Sequence, residues 1–201
     1  MKPEIFFNNH SATPLDSVVK MINSAAQKPF EIATPIPASA NHSIKFYNHD
    51  QDKIFNQEWI CIGRTDEISS TGDYLTHEIA GTPVLVVRQK NAQISGFVNA
   101  CAHRFTCLVP KSTGNAFAFT CPNHAWTYDL DDTLKHAPFM EMKNEFDKEN
   151  HHLQPLHTEV WEGFIYITLA ENPSKSVTSS LVFLRQKIVG QYDMNSYQTV
   201  I

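Results

Sequence analysis

The 201-residue chain has no run of about 18 consecutive apolar residues, the length a membrane-spanning helix needs, and nothing in it reads as a signal peptide. Basic residues are in deficit, 16 against 21 acidic ones for a net charge of −5, which argues against nucleic acid as a partner. Cysteine is limited to four residues. Two of these fall in the motif described below, and the remaining pair, Cys61 and Cys107, suits a reducing cytoplasm. No repeat or low-complexity tract is present, and no histidine follows His157. The length fits one domain with extensions, or two small ones, and is enough to bury a substantial core.

Residues 13–26 read as a helix. Thr13 is the expected N-cap, Pro14 suits the first turn, and Leu15, Val18, Val19 and Ile22 form one apolar stripe. Residues 33–40, with two prolines, read as an extended linker, after which Asn48 is expected to cap a short helix from His49 to about Gln57. From Trp59 onward the pattern changes to short apolar or alternating runs separated by turn residues. These are 59–63, 73–79, 84–88, 93–98, 116–120, 126–129, 133–135, 153–160 and 163–169. Strands this short and this closely spaced predict a small all-β antiparallel sandwich. A last helical pattern runs over 180–192, with Leu181, Leu184, Ile188 and Val189 as its stripe.

The informative stretch is Asn99–Tyr128, NACAHRFTCLVPKSTGNAFAFTCPNHAWTY. It contains Cys101-Ala102-His103 and, after seventeen intervening residues, Cys121-Pro122-Asn123-His124. Each half offers one thiolate and one imidazole. Iron–sulfur clusters normally take four thiolates, but in Rieske centres two histidines replace two cysteines on one iron. Two ferric irons, two sulfides and two thiolates sum to zero charge, so such a cluster accepts an electron more readily than a four-thiolate one. Its potential rises to roughly −150 to +300 mV. An extended Cys101–His103 segment would point both side chains the same way, and Pro122-Asn123 suits the centre of a β-turn presenting Cys121 with His124. Zinc is the competing metal, yet zinc sites usually pair like residues as C-x₂₋₄-C and H-x₃₋₅-H. The expected ligands, and the expected cofactor-binding residues, are therefore Cys101, His103, Cys121 and His124.

C-x-H-R followed by C-P-x-H-x-W-x-Y resembles the Rieske [2Fe-2S] domain of ring-hydroxylating oxygenase α subunits. The segments GDYLTHEIAGTPVLVVR and LQPLHTEVWEGFIYITL resemble the strands that flank the cluster in that family. The resemblance implies an N-terminal helix and linker over 1–44, a Rieske domain over 45–172, and a helical tail over 173–201 leading to an absent catalytic domain. It also implies a ferredoxin or flavin-containing reductase as electron donor and a mononuclear Fe(II) in that missing domain. The full-length protein would be a homotrimer, cytoplasmic, with no nucleic-acid or membrane partner. Alone, this chain would transfer electrons without hydroxylating, so no catalytic residue is assigned. A free-standing Rieske-type ferredoxin is the alternative. Respiratory Rieske proteins carry a disulfide across the two cluster loops, and the equivalent residues here, Thr106 and Asn123, cannot form one.

Several neighbours complete the expectations. Glu149, His152 and His157 fit E-x-x-H-x₄-H, a spacing close to part of the family's iron-binding pattern, but Pro155 would break a helix carrying them. Arg104 is expected either to place charge near the cluster or to form a surface ion pair. Trp126 and Tyr128 are expected to pack beneath the loops, and Cys107 to be a small buried side chain. Phe105 and Ala125 stand where the family usually has a small residue or glycine. A Cβ at positive φ would cost roughly 1–2 kcal/mol there.

Overall fold

The computed structural model describes residues 13–140, 142, 143 and 145–200, and the chain divides into two compact units, Met1–Phe55 and Asn56–Ile201. In the first unit α1 spans Leu15–Ala26 and turns the expected stripe inward: Val18 is buried, and Leu15, Val19 and Ile22 are half-buried. Pro14, not Thr13, takes the N-cap position, without a side-chain bond, because a proline at the boundary offers no hydroxyl. The linker is shorter than expected. Phe30–Ile32 forms a 3₁₀ turn, and α2 begins at Ala38 and ends at His42, so only 33–37 stays extended around Pro35 and Pro37. Helix α3 (Ile44–Asp50) starts before Asn48, the expected cap. Ser43 Oγ accepts from Phe46 N at 3.3 Å and caps it instead, and the helix widens into a π turn over Gln51–Phe55.

Every strand pairing in the second unit is antiparallel. Its strands are β1 (Ile60–Arg64), β2 (Asp73–Ile79), β3 (Thr82–Arg88), β4 (Ile94–Val98), β5 (Thr113–Asn115), β6 (Phe119–Thr120), β7 (Thr127–Tyr128), β8 (Leu134–His136), β9 (Pro155–Trp161) and β10 (Phe164–Thr168). Seven make one sheet in the order β1-β10-β9-β4-β3-β2-β5, and β6-β7-β8 make a second. The hairpins β2–β3 and β9–β10 turn through Ala80-Gly81 and Glu162-Gly163, all four residues at positive φ, the conformation two-residue hairpins favour. Of the run expected as one strand over 116–120, only Phe119–Thr120 is strand; β5 lies before it, at Thr113–Asn115. β5 pairs with β2, and the chain then leaves the large sheet so that β6 can pair with β7. Packing explains the break. The chain folds over Tyr74: a Cβ on Gly114 would lie 2.5 Å from the Tyr74 hydroxyl, and the Phe119 ring meets that of Tyr74 edge-on at 5.8 Å.

Period-2 alternation gives the large sheet a core on each face. Val84 and Val86 of β3 join Ile62, Leu75, Ile79, Ile165 and Ile167 on one side. Leu85 and Val87 join Tyr74, Phe97, Trp126, Tyr128 and the thiols of Cys101 and Cys121 on the other. Both β3 faces are covered, which explains its unbroken apolar sequence. The C-terminal helix is interrupted: α4 (Val177–Ser180) is capped by Ser176, and after Leu181 come α5 (Val182–Leu184) and a π turn over Arg185–Val189. Beyond it the chain is tied back to β1, with the Arg64 guanidinium donating to the carbonyls of Met194 and Tyr197 at 3.0 Å each.

Candidate metal centre

The two halves of the motif fold into the same turn twice. In the first loop Phe105 N donates to Cys101 O (2.8 Å) and Cys101 N donates to Thr106 O (2.9 Å). In the second, Ala125 N donates to Cys121 O (3.0 Å) and Cys121 N donates to Trp126 O (2.8 Å). Each loop is thus a single helical turn closed by an i→i+4 bond and ended by a residue at positive φ, Phe105 and Ala125, both at 56°. This corrects two expectations. Cys101–His103 is turned, not extended, because the Cys101–Phe105 bond pulls the segment into a coil. The second turn closes one residue later than a β-turn would, at Ala125.

Both thiols lie in the core, Cys101 at 1% and Cys121 at 3% exposure, while His124 is exposed and His103 half-buried. The imidazoles meet edge-to-face with centroids 4.8 Å apart. Two buried thiols and two adjacent imidazoles fit the donor set of a Rieske-type cluster, in which two histidines replace two cysteines on one iron. Among the described residues no three His, Cys, Asp or Glu side chains are grouped to hold a single metal ion.

The surroundings bias these groups. Burial pushes the Cys101 thiol above its ordinary pKa, and the Tyr128 hydroxyl 3.3 Å from its sulfur works against that rise. Burial, and then the neighbouring Cys101, push the Tyr128 phenol far upward, so it stays protonated and able to donate. Burial also lowers the His103 pKa, as do the charges of Arg104 and His124. The neutral imidazole this favours is the ligating form. Arg104 is itself exposed and acts here through its charge.

Trp126 is buried and stacks flat on His103 (4.8 Å, 11°); its edges meet Phe146 and His151, each at 5.5 Å. Packing beneath the loops is therefore its position, as expected. Tyr128 does more than pack. Its hydroxyl accepts from Ala102 N (3.1 Å) as well as meeting Cys101 Sγ, joining the strand after the second loop to the first loop. Asn99 carries a role that sequence reasoning missed. Its buried amide donates to Val109 O (2.7 Å) and accepts from Val109 N (3.0 Å), closing the base of the first loop. An asparagine beside a cysteine motif gives no one-dimensional sign that it is buried. Cys107 departs from expectation: its thiol is exposed, 3.6 Å from Asn99 Nδ2, because the loop turns residue 107 outward while Leu108 goes in. Where respiratory proteins have their disulfide, Asn123 Nδ2 donates to Thr106 Oγ1 at 2.8 Å.

The E-x-x-H-x₄-H residues do not form a common site. Lys148–Asn150 is one 3₁₀ turn and residue 155 begins β9. His152 Nδ1 pairs with Asp132 Oδ1 (2.8 Å), and His157 Nε2 lies 3.0 Å from the Glu171 carbonyl.

The positive φ of Phe105 and Ala125 carries a stability prediction. Ala125→Gly should raise the unfolding free energy by about 0.5–1 kcal/mol, because relief of roughly 1–2 kcal/mol of left-handed strain outweighs the extra entropy of a glycine chain. Denaturant unfolding of the metal-free chain measures this; equal or lower stability would mean the loop carries no such strain.

Fold and site together define an iron–sulfur electron-transfer domain built on an antiparallel β scaffold. Residues 58–152 match the family of the Rieske [2Fe-2S] domain, and this part of the chain is a Rieske domain. The chain is 33% identical over 142 residues to the carnitine monooxygenase oxygenase subunit of Acinetobacter baumannii, covering 71% of this chain and 38% of that one. It is 35% identical over 157 residues to the glycine betaine monooxygenase oxygenase subunit of Pseudomonas aeruginosa, covering 78% and 36%. The crystal structure of a quaternary ammonium Rieske monooxygenase in complex with L-carnitine superposes with a TM-score of 0.65 at 33% identity, covering 71% of this chain and 41% of that one. The chain thus spans less than half the length of these relatives. Among the described residues no helix is long and apolar enough to cross a membrane.

Proposed function

We propose that Cys101, His103, Cys121 and His124 hold a Rieske-type [2Fe-2S] cluster, and that the chain is the electron-receiving part of a Rieske non-haem iron oxygenase. The observation that carries this reading is the repeated turn that places two buried thiols beneath two touching imidazoles. The bound cluster supplies one-electron acceptance and release. The chain's own residues hold it and set its surroundings: Tyr128 donates toward the Cys101 sulfur, Trp126 fixes the plane of His103, and the exposed His124 edge faces a redox partner. A ferredoxin or flavin-containing reductase would deliver electrons. A mononuclear iron in sequence beyond this chain would consume them, in a cytoplasmic homotrimer organised as 1–44, 45–172 and 173–201 followed by the catalytic domain. The relatives named for carnitine and glycine betaine favour a quaternary ammonium substrate over an aromatic one.

Anaerobic reconstitution with iron and sulfide tests the assignment. The expected result is two irons per chain and the electron paramagnetic resonance spectrum of a histidine-ligated cluster on reduction. A zinc-only chain, or an all-thiolate spectrum, would overturn it. Tyr128→Phe is expected to lower the reduction potential. A hydrogen bond to a charged sulfur is worth roughly 1.5–3 kcal/mol, and only its difference between redox states counts, so the shift is on the order of 50 mV. An electrochemical titration showing no shift would leave Tyr128 with a packing role alone.

A further inference from the structure

We propose that Thr106 and Asn123 are a positioning pair that clasps the two ligand loops together. The inference rests on the ligand assignment above and concerns how that site is held shut. Each loop is closed by hydrogen bonds within its own backbone, so nothing inside a loop sets its distance from the other. The thiol side is held by core packing and by the Tyr128 hydroxyl, which joins the loops at their base. On the imidazole side the packing thins: His103 is half-buried, stacked on Trp126 and against the His124 ring, and His124 is exposed. There the Asn123 Nδ2 to Thr106 Oγ1 bond, 2.8 Å long, joins the loops.

Both partners are wired to ligands. The Thr106 carbonyl accepts from Cys101 N, so a displacement of Thr106 is felt at a cysteine ligand. Asn123 precedes His124 within the closed Cys121–Ala125 turn, so a displacement of Asn123 rotates a histidine ligand. Thr106 also follows Phe105, whose positive φ gives the first loop a reason to relax once released. The pair therefore governs how readily the cluster is released, with little effect on whether the domain folds.

The test compares reconstituted wild type with Thr106→Val, Thr106→Ser, Asn123→Ala and the Thr106→Val/Asn123→Ala double variant. Cluster bleaching is followed under excess iron chelator, with the spectrum of the reduced cluster and the thermal unfolding of the metal-free chains. Thr106→Val and Asn123→Ala should each bleach about fivefold faster, the ratio an ordinary net hydrogen bond is worth, and both should show broadened resonance lines. The double variant should be no faster than the faster single, because both remove one interaction. Thr106→Ser should keep the wild-type rate, and metal-free unfolding should barely move. Bleaching at the wild-type rate in Thr106→Val, multiplying effects in the double variant, or failure of the serine rescue would each overturn the clasp. A wild-type chain that takes up no histidine-ligated cluster would overturn the ligand assignment, and the clasp with it.

Discussion

His103→Cys is expected to lower the reduction potential of the loaded domain by on the order of 100–300 mV. Rieske clusters lie at roughly −150 to +300 mV and four-thiolate plant-type clusters near −400 mV, so exchanging one of the two imidazoles should cover part of that interval. The cause is charge. A neutral ligand is replaced by a thiolate, and the added electron then enters a cluster that already carries negative charge. The surroundings sharpen the effect at this position. His103 is half-buried and stacked on Trp126, where charge is screened less than in water, so the shift should exceed that of the same change at the exposed His124. Spectroscopically monitored redox titration of both variants at full iron content gives the comparison. An unchanged potential in a fully loaded His103→Cys protein would remove His103 from the ligand set, and equal shifts at both positions would show that burial does not matter.

Trp126→Ala carries the largest expected effect on stability. Trp126 is 2% exposed and belongs to the same core cluster as Leu85, Phe97, Leu130 and Leu153. Truncating a buried tryptophan typically costs about 3–5 kcal/mol, part of it lost transfer free energy and part the cavity left behind. For a chain of this size that corresponds to a fall in melting temperature of roughly 10 °C. Trp126→Phe keeps a ring against His103 and should recover most of the loss. Calorimetry of the metal-free chain separates packing from cluster binding. A fall of only one or two degrees for Trp126→Ala would show that the loops rest on the strands without that ring.

The parts of this molecule legible in one dimension are those whose chemistry repeats at short range. Alternation in β2, β3, β4, β9 and β10 places them within a residue or two, because a strand with one or two buried faces must show period two or an unbroken apolar run. Helix starts were less legible. Asn48 reads as a cap, but Ser43 does that work, since either residue type can cap a helix start and the helix begins five residues before Asn48 would allow. The run over 116–120 reads as one strand, but only its last two residues pair, with β7, because pattern cannot show where the chain leaves one sheet after β5 and joins another.

For the Rieske site the same division holds. The sequence by itself offered the candidate donor set, two cysteines and two histidines in matched halves, because residue type and spacing are read directly along the chain. It also showed that Thr106 and Asn123 cannot form a disulfide, and it pointed to residues 105 and 125 as the unusual loop positions. Only the tertiary structure decided that both loops are the same closed turn, that Phe105 and Ala125 stand at positive φ, and that Cys107 faces outward. It alone revealed the Tyr128 hydroxyl on Cys101, Asn99 bracing Val109, and the bond from Asn123 to Thr106. Each of these joins residues 10 to 27 positions apart through side-chain direction and burial, which arise when the two loops fold onto one scaffold and have no signature along the chain.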